Sequence, residues 1–206
     1  MKEKSRYCFT DGILLAALLL VGGFHEYISC VLAVAMSIWL LIRLSRQKRM
    51  YIRKDFLTSA MVAVCFSYGL TCLWGIDRGM AVIGFLKFLP LLLYLFCLQQ
   101  EEGTGRVLEV LPWFGAAVAV LSAIGMQVPG LEKLFSVAGR LAGSFQYPNT
   151  FAVFLLVCEL LLLKKQEKKL WDYAVLLLLV AGFLYTGSRT AFVVAILANV
   201  AMLLSM

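Results

Sequence analysis

GRLAGSFQYPNT, residues 139–150, is a polar, glycine-containing segment between two long apolar runs. It places Arg140 shortly before Pro148, where the following apolar run begins. A shorter segment, TGSRT at residues 186–190, repeats the arrangement with Arg189 beside the start of the last apolar run. We expect the two segments to lie on the same face of a membrane and to form one anion site.

The composition is that of an integral membrane protein. Of the 206 residues, 62% are hydrophobic and 15% are charged, whereas soluble domains are about half apolar and about a quarter charged. Lipid offers no partner to unpaired backbone groups, so repeated apolar runs of about 20 residues predict helices. The predicted fold class is all-α, a polytopic transmembrane helix bundle that forms a single domain over residues 1–206.

The apolar runs predict eight spans. The first run follows Lys2, Lys4 and Arg6 and is short enough to be a signal-peptide core, but Asp11 interrupts it and no small-residue cleavage site follows Gly23. We therefore expect a span there. The eight runs cover approximately residues 10–24, 27–44, 56–74, 80–98, 107–127, 149–163, 171–187 and 190–206.

Lysines and arginines are concentrated in alternate loops, and their excess marks the cytoplasmic side. Most of the 19 basic residues lie in the amino-terminal segment and in the loops around residues 43–54, 106 and 164–169. The predicted topology therefore has a cytoplasmic amino terminus and both polar segments outside. This pattern also explains the net charge of +7, so the expected partner is the membrane and not nucleic acid.

In this topology the sixth and eighth spans begin at the outer face, where their amino-terminal N–H groups and helix dipoles favour anions. Pro148 suits a first helical turn, and Asn149 beside it offers an amide. Gly187 suits the left-handed end of the preceding helix, and Ser188 is a natural N-cap. A guanidinium beside each helix start is suited to phosphate. Alternatively, both arginines are anchors that contact lipid headgroups.

The segment before Arg140 has apolar residues at helical spacing. It predicts either a short interfacial helix that ends at Gly139 or an irregular loop. The apolar positions are Leu131, Leu134, Phe135 and Ala138.

Lys87 and Glu159 are charged residues well inside apolar runs. Lys87 lies roughly 10 Å into the fourth span at 1.5 Å per residue, and the topology puts Glu109 at the opposite face, so these two should not pair. Lys87 either faces the protein interior and reaches the outer site or snorkels to the surface. Glu159 is expected to snorkel towards Lys164 and not to relay protons.

The six cysteines lie in or beside apolar runs, with neither a CxxC pair nor a nearby histidine. This pattern is typical of small core side chains. The only histidine, His25, lies in a predicted turn, where a catalytic role is not expected. No metal-ligand cluster, nucleophile elbow or glycine-rich nucleotide loop is present in the sequence, so neither a metal nor another cofactor is expected.

RLAGSFQYPNTFA at residues 140–152 and TGSRTA at 186–191, one span later, resemble the O-antigen ligase and polymerase family of bacterial membrane glycosyltransferases. LWGIDRGMAVIGFLKFL at 73–89 resembles that family's earlier outer turn, and the likeness covers roughly residues 55–206. It implies glycan transfer from an undecaprenyl-(pyro)phosphate carrier to a lipid or saccharide acceptor. The reaction would be metal-independent and occur at the outer face of the cytoplasmic membrane, in cell-surface polysaccharide assembly.

The resemblance also implies roles for individual residues. Arg140 and Arg189 match the family's two outer arginines, which hold the carrier phosphates, and are the expected catalytic residues. Lys87 matches the basic residue of the fourth span. The residues expected to bind substrate are Lys87, Asn149, Ser188 and Gly143.

The sequence departs from the family after the second motif. The family's large outer loop, with the histidine proposed to activate the acceptor, follows the serine-arginine span, where this sequence stops. His25 is in the wrong place to substitute. We therefore expect a truncated chain, and an inactive fragment is one alternative. The other is a transporter of an anionic or lipid-linked solute that uses the same charges without chemistry.

Overall fold

The computed structural model describes residues 8–20, 26–101, 106–145 and 147–204, and these residues are almost entirely helical. The chain divides into two compact units, Met1–Thr104 and Gly105–Met206, and the single domain over residues 1–206 stays a prediction. The helices are α1 (Phe9–Leu19), α2 (Glu26–Gln47), α3 (Phe56–Trp74), α4 (Arg78–Gln100), α5 (Arg106–Gly125), α6 (Glu132–Phe135), α7 (Pro148–Lys164), α8 (Leu170–Tyr185) and α9 (Arg189–Leu204).

Four helices are long and apolar enough to cross a membrane: α2, α3, α4 and the Val107–Gly125 part of α5. Helices occupy all eight predicted runs, but α1 has 11 residues, α7 has 17, and α8 and α9 have 16 each. At 1.5 Å per residue, a 16-residue helix is about 24 Å long, less than the roughly 30 Å of a bilayer's hydrocarbon core. The predicted number of eight spans is therefore not supported, whereas the all-α class is confirmed.

In the amino-terminal unit, α2 and α4 run parallel. Lys87 of α4 forms an ion pair with Glu26 at the start of α2, and Arg43 near the end of α2 donates from Nη2 to the Gln100 carbonyl at the end of α4. The two contacts occur in the same order along both helices, which fixes their common direction. The buried apolar core of this unit comprises Ile28, Leu32, Met36, Leu40 and Cys97.

Aspartate N-caps begin the antiparallel helices α3 and α4. Asp55 accepts a hydrogen bond from Thr58 N at 2.8 Å, and Asp77 accepts one from Met80 N at 3.0 Å. Each carboxylate thereby satisfies a backbone donor that has no partner within its helix.

A carboxylate from another part of the chain caps α1. Glu101, directly after α4, accepts hydrogen bonds from Phe9 N at 2.9 Å and Thr10 N at 3.2 Å, and also from the Thr10 hydroxyl. The Phe9 ring stacks on Trp39 of α2 with ring centroids 5.0 Å apart. These contacts fix the start of α1 against α2 and the end of α4.

In the carboxy-terminal unit, α5, α7 and α8 pack closely at small residues. A Cβ added at Gly115 of α5 would lie 2.7 Å from Cys158 Sγ of α7 and 3.3 Å from Leu179 of α8, so only glycine fits there. Gly182 of α8 lies against Ala119 of α5 in the same way. The contacts of Gly115 with Leu179 and of Ala119 with Gly182 occur in the same order along both helices, so α5 and α8 are parallel.

This packing gives the carboxy-terminal unit two distinct ends. At one, the Arg140 end, Arg140 contacts both the start of α7 and the end of α8. At the other, the Asp172 end, Lys165 directly after α7 pairs with Asp172 in the first turn of α8. Helices α7 and α9 both begin at the Arg140 end.

The connection from α5 to α7 contains a short hairpin that the sequence did not predict. The segment is neither a helix that runs to Gly139 nor an irregular loop, the two forms that the sequence left open. The helix α6 is a single turn, and residues 136–141 form two strands, β1 (Ser136–Val137) and β2 (Arg140–Leu141), with Val137 opposite Arg140. Ala138 and Gly139 between them both have positive φ, of 52° and 72°. Positive φ at both central residues matches the right-handed twist of a two-residue hairpin. Gly139 thus forms a turn and does not end a helix.

Candidate functional site

Arg140 joins the two polar segments, residues 139–150 and 186–190, that we expected to lie on the same face of the membrane. Its Nε donates to the Thr186 carbonyl at the end of α8 over 2.8 Å, and its Nη2 donates to Asn149 Oδ1 at the start of α7 over 3.0 Å. The Thr186 carbonyl belongs to a helix carboxy terminus, which lacks intrahelical donors and favours a cation. The guanidinium is therefore held by groups from both segments.

The turn from α8 to α9 has the predicted backbone. Gly187 adopts φ of +60°, and Ser188 acts as N-cap because its Oγ accepts a hydrogen bond from Ala191 N at 3.3 Å. Thr186 is fully buried, and its hydroxyl donates to the Phe183 carbonyl over 2.7 Å. These bonds fix where α9 begins and hence where Arg189 lies.

Arg189 and Arg140 differ in how they are held. Arg189 is the first residue of α9, is exposed and makes no hydrogen bond or ion pair with another described residue. Arg140 is half-buried, and two of its N–H groups bind protein acceptors among the described residues. Because a guanidinium has five N–H donors, Arg140 has both a fixed position and further donors that could meet an anion.

Two apolar grooves flank this arrangement. One, of about 370 Å³, is lined by the α8–α9 turn and by Phe183 and Phe192, and Arg189 is its charged member. The other, of about 450 Å³, lies between α5 and α8 and includes Leu141, the neighbour of Arg140 in β2. An anion bound to Arg189 would have the apolar surface of the first groove beside it.

Two predicted substrate-binding residues near Arg140 have clear structural roles. Asn149 holds the Arg140 guanidinium through its side-chain oxygen. Gly143 is buried with φ of +61°, and an added Cβ would lie 2.7 Å from the Phe151 ring. Positive φ and the close aromatic ring account for glycine at position 143. Their roles in binding a substrate stay predictions.

Lys87 belongs to the amino-terminal unit and has a partner that the sequence did not predict. Its Nζ lies 2.9 Å from Glu26 Oε1, and the two side chains are 39% and 47% exposed. The sequence did contain a signal for this ion pair, since the predicted topology put the starts of α2 and α4 on the same face of the membrane. Glu26 was the acidic residue in that outer turn.

The remaining candidate residues of the sequence analysis are Glu159, His25 and the six cysteines. Glu159 interacts with Asn199 of α9 and forms no ion pair with Lys164. His25 lies outside the described residues. The six cysteines are all free thiols, and Cys65, Cys97 and Cys158 are buried. No group of three or more potential metal-ligating side chains occurs within the residues that the structure describes.

The resemblance to O-antigen ligases and polymerases thus rests on motifs, two of which lie together at one end of the carboxy-terminal unit. In this arrangement Arg140 is the structural link, and Arg189 is the exposed cation. Comparison with protein-family models, with curated proteins and with solved structures finds no match to this chain.

Proposed function

We propose that this chain binds the diphosphate of an undecaprenyl-linked glycan at the Arg140 end and takes part in transferring that glycan to a lipid or saccharide acceptor. The Arg140 end would lie at the outer face of a bacterial cytoplasmic membrane, as the distribution of basic residues predicts. The observation that carries the proposal is the hydrogen bonding of Arg140 to Thr186 and Asn149, which joins the two arginine-bearing segments.

The chemistry needs groups that stabilise a departing diphosphate. An acceptor hydroxyl would attack the anomeric carbon of the glycan and lose its proton to water as a new carbon–oxygen bond forms. The bond to the carrier diphosphate would break, and its electron pair would stay on the departing diphosphate oxygen. Negative charge then grows on the diphosphate oxygens, and fixed guanidinium donors stabilise it at little reorganisation cost. Arg140 is already oriented by protein acceptors. Arg189 would add the second cation.

The surroundings of the arginines suit an amphipathic ligand. The start of α9 contributes unpaired N–H groups, and its dipole favours an anion. The grooves beside Arg189 and Leu141 are largely apolar, so they offer surface to a polyprenyl chain that stays in lipid. A soluble nucleotide or sugar phosphate would leave these grooves unused.

Binding of undecaprenyl diphosphate to the purified chain in lipid nanodiscs tests the proposal. We expect Arg189→Ala to weaken binding about tenfold to a hundredfold, because a charge-assisted contact contributes roughly 1.5–3 kcal/mol. Its unfolding temperature should be unchanged, since Arg189 contacts no described polar group. The matched control is Arg78→Ala, which removes an exposed arginine from the first position of α4.

Equal affinity of Arg189→Ala and the unaltered protein would reject the proposed site. Equal losses in Arg189→Ala and Arg78→Ala would indicate nonspecific attraction of the anion to surface cations. Incubation with a radiolabelled undecaprenyl-diphosphoryl glycan then separates the reaction classes. Transfer to an acceptor supports the enzyme, whereas movement across the bilayer without transfer supports a transporter.

A further inference from the structure

A cavity of about 680 Å³ lies at the Asp172 end of the carboxy-terminal unit, away from the two arginines. It is bounded by the first turns of α5, the last turn of α7 and the first turn of α8. Its volume lies within the roughly 300–1,000 Å³ range of small-molecule sites. The apolar part of its lining includes Leu108, Trp113, Leu161 and Leu162.

One charged pair in this lining is already neutralised. The Asp172 side chain is only 2% exposed and lies 2.7 Å from Lys165 Nζ. Its Oδ2 also accepts the backbone N–H of Lys169 over 2.7 Å. Because these partners satisfy the buried carboxylate, Asp172 and Lys165 form a structural pair that links α7 to α8.

The other charged pair in the lining is not joined. Glu109 and Lys164 both line the cavity and are exposed, yet neither forms an ion pair with another residue in the described part of the chain. They belong to different helices, α5 and α7. The cavity thus offers a carboxylate that can bind a cation and an ammonium that can bind an anion. Apolar surface lies between the same helices.

We propose that this cavity binds the headgroup of phosphatidylethanolamine, with the phosphate on Lys164 and the primary ammonium on Glu109. Glu109 lies in the first turn of a helix that is long enough to span a bilayer, which places it near headgroup depth. Trp113, 45% exposed and one turn further along, is the residue type enriched at that depth. An acyl chain would lie along the apolar wall.

A phosphate together with a primary ammonium distinguishes this lipid from phosphatidylcholine and from phosphatidylglycerol. Phosphatidylcholine carries the same two charges, but its quaternary ammonium has no N–H to donate to Glu109. Phosphatidylglycerol has no cation and would leave Glu109 beside an anion. A basic surface that simply attracted acidic lipid would show the opposite order of preference.

Native mass spectrometry of the purified protein with equimolar dioleoyl phosphatidylethanolamine, phosphatidylcholine and phosphatidylglycerol tests this inference. We expect the protein to retain phosphatidylethanolamine about tenfold more than phosphatidylcholine, the difference made by one charge-assisted hydrogen bond. Glu109→Gln should abolish this preference. Lys164→Gln should reduce retention of both lipids, because both present a phosphate.

The controls are Glu167→Gln and Lys133→Gln, which make the same chemical changes at exposed residues outside the cavity lining. Unchanged unfolding temperatures would show that all four variants fold. Equal retention of phosphatidylethanolamine and phosphatidylcholine by the unaltered protein would overturn the proposal. Preference for phosphatidylglycerol, a preference that survives Glu109→Gln, or no retained lipid would do the same.

Discussion

Glu101 and Arg140 each join helix ends that are far apart in sequence, but they use their hydrogen-bonding capacity differently. Glu101 lies 92 residues from Phe9, and its two oxygens accept two backbone N–H groups and the Thr10 hydroxyl. Arg140 lies 46 residues from Thr186 and donates to one carbonyl and one side-chain amide. Both Glu101 oxygens therefore accept from the start of α1, whereas Arg140 uses two of its five N–H groups on acceptors among the described residues.

The difference suggests how to separate a structural polar contact from a binding site. A side chain whose oxygens all accept from the same helix start stabilises the fold and has little left to offer a ligand. A guanidinium that is fixed by two acceptors and keeps further N–H groups is pre-organised for an anion.

Arg140→Ala should have the largest effect. We expect binding of undecaprenyl diphosphate to fall about a hundredfold or more, because the substitution removes a cation and also the contact that holds Asn149 and Thr186 together. The unfolding temperature should fall as well, unlike that of Arg189→Ala. Calorimetric titration with the lipid and thermal unfolding in the same nanodiscs would measure both effects.

Arg140→Lys tests whether geometry or charge matters. A lysine ammonium cannot reproduce the planar fork that meets two acceptors and an anion together. We therefore expect Arg140→Lys to bind almost as poorly as Arg140→Ala. Binding at the level of the unaltered protein would mean that Arg140 acts as a simple point charge, and the contrast with Glu101 would then be lost.

Local sequence signals predicted the helix starts at the Arg140 end because their causes lie within a few residues. Pro148 begins α7, Gly187 has positive φ, and Ser188 caps α9, as expected. Each prediction depended only on the residue's own backbone preference. The contact between the two segments was expected as well, because both were assigned to one face by the charges of the loops.

Features that depend on distant residues were missed. The bond from Arg140 to the Thr186 carbonyl and the pairing of Lys87 with Glu26 require knowledge of which helices are neighbours. The hairpin at residues 136–141 was missed because Leu131, Leu134 and Phe135 fit a helical period that ends after one turn. The predicted number of eight spans is not supported either, since hydropathy recognises apolar runs but not where a helix begins and ends, and four described helices are long and apolar enough to cross a membrane.

Glu101→Ala tests the structural side of the comparison. We expect it to lower the free energy of unfolding by about 2 kcal/mol, because two backbone N–H groups at the start of α1 lose a charged acceptor. Glu101→Gln keeps one carbonyl oxygen and should lose about half as much. Denaturant unfolding in detergent, followed by the fluorescence of Trp39 against which Phe9 stacks, would measure the change.

Glu167→Ala is the control for this series, because Glu167 is an exposed glutamate of the carboxy-terminal unit, whereas α1 belongs to the amino-terminal unit. It should leave the free energy of unfolding unchanged. If Glu101→Ala were equally neutral, the long-range cap would contribute nothing to stability. Glu101 and Arg140 could not then be contrasted as a structural and a binding contact.

The smallest predicted effect concerns Asp55, a carboxylate that caps its own helix. Hydrogen bonds from the Thr58 side chain and backbone, helped by Arg53, lower the pKa of Asp55 below its ordinary value of 3.8. Because the folded pKa is the lower one, the ionised carboxylate stabilises the protein above the unfolded pKa, and this stabilisation disappears as the pH falls through the folded pKa. Asparagine caps helices about as well as aspartate but does not titrate. The free energy of unfolding, measured with denaturant, should therefore be slightly higher for the unaltered protein than for Asp55→Asn at pH 7. This difference should vanish in acid. A difference that persisted in acid would mean that the charge of Asp55 is not its cause.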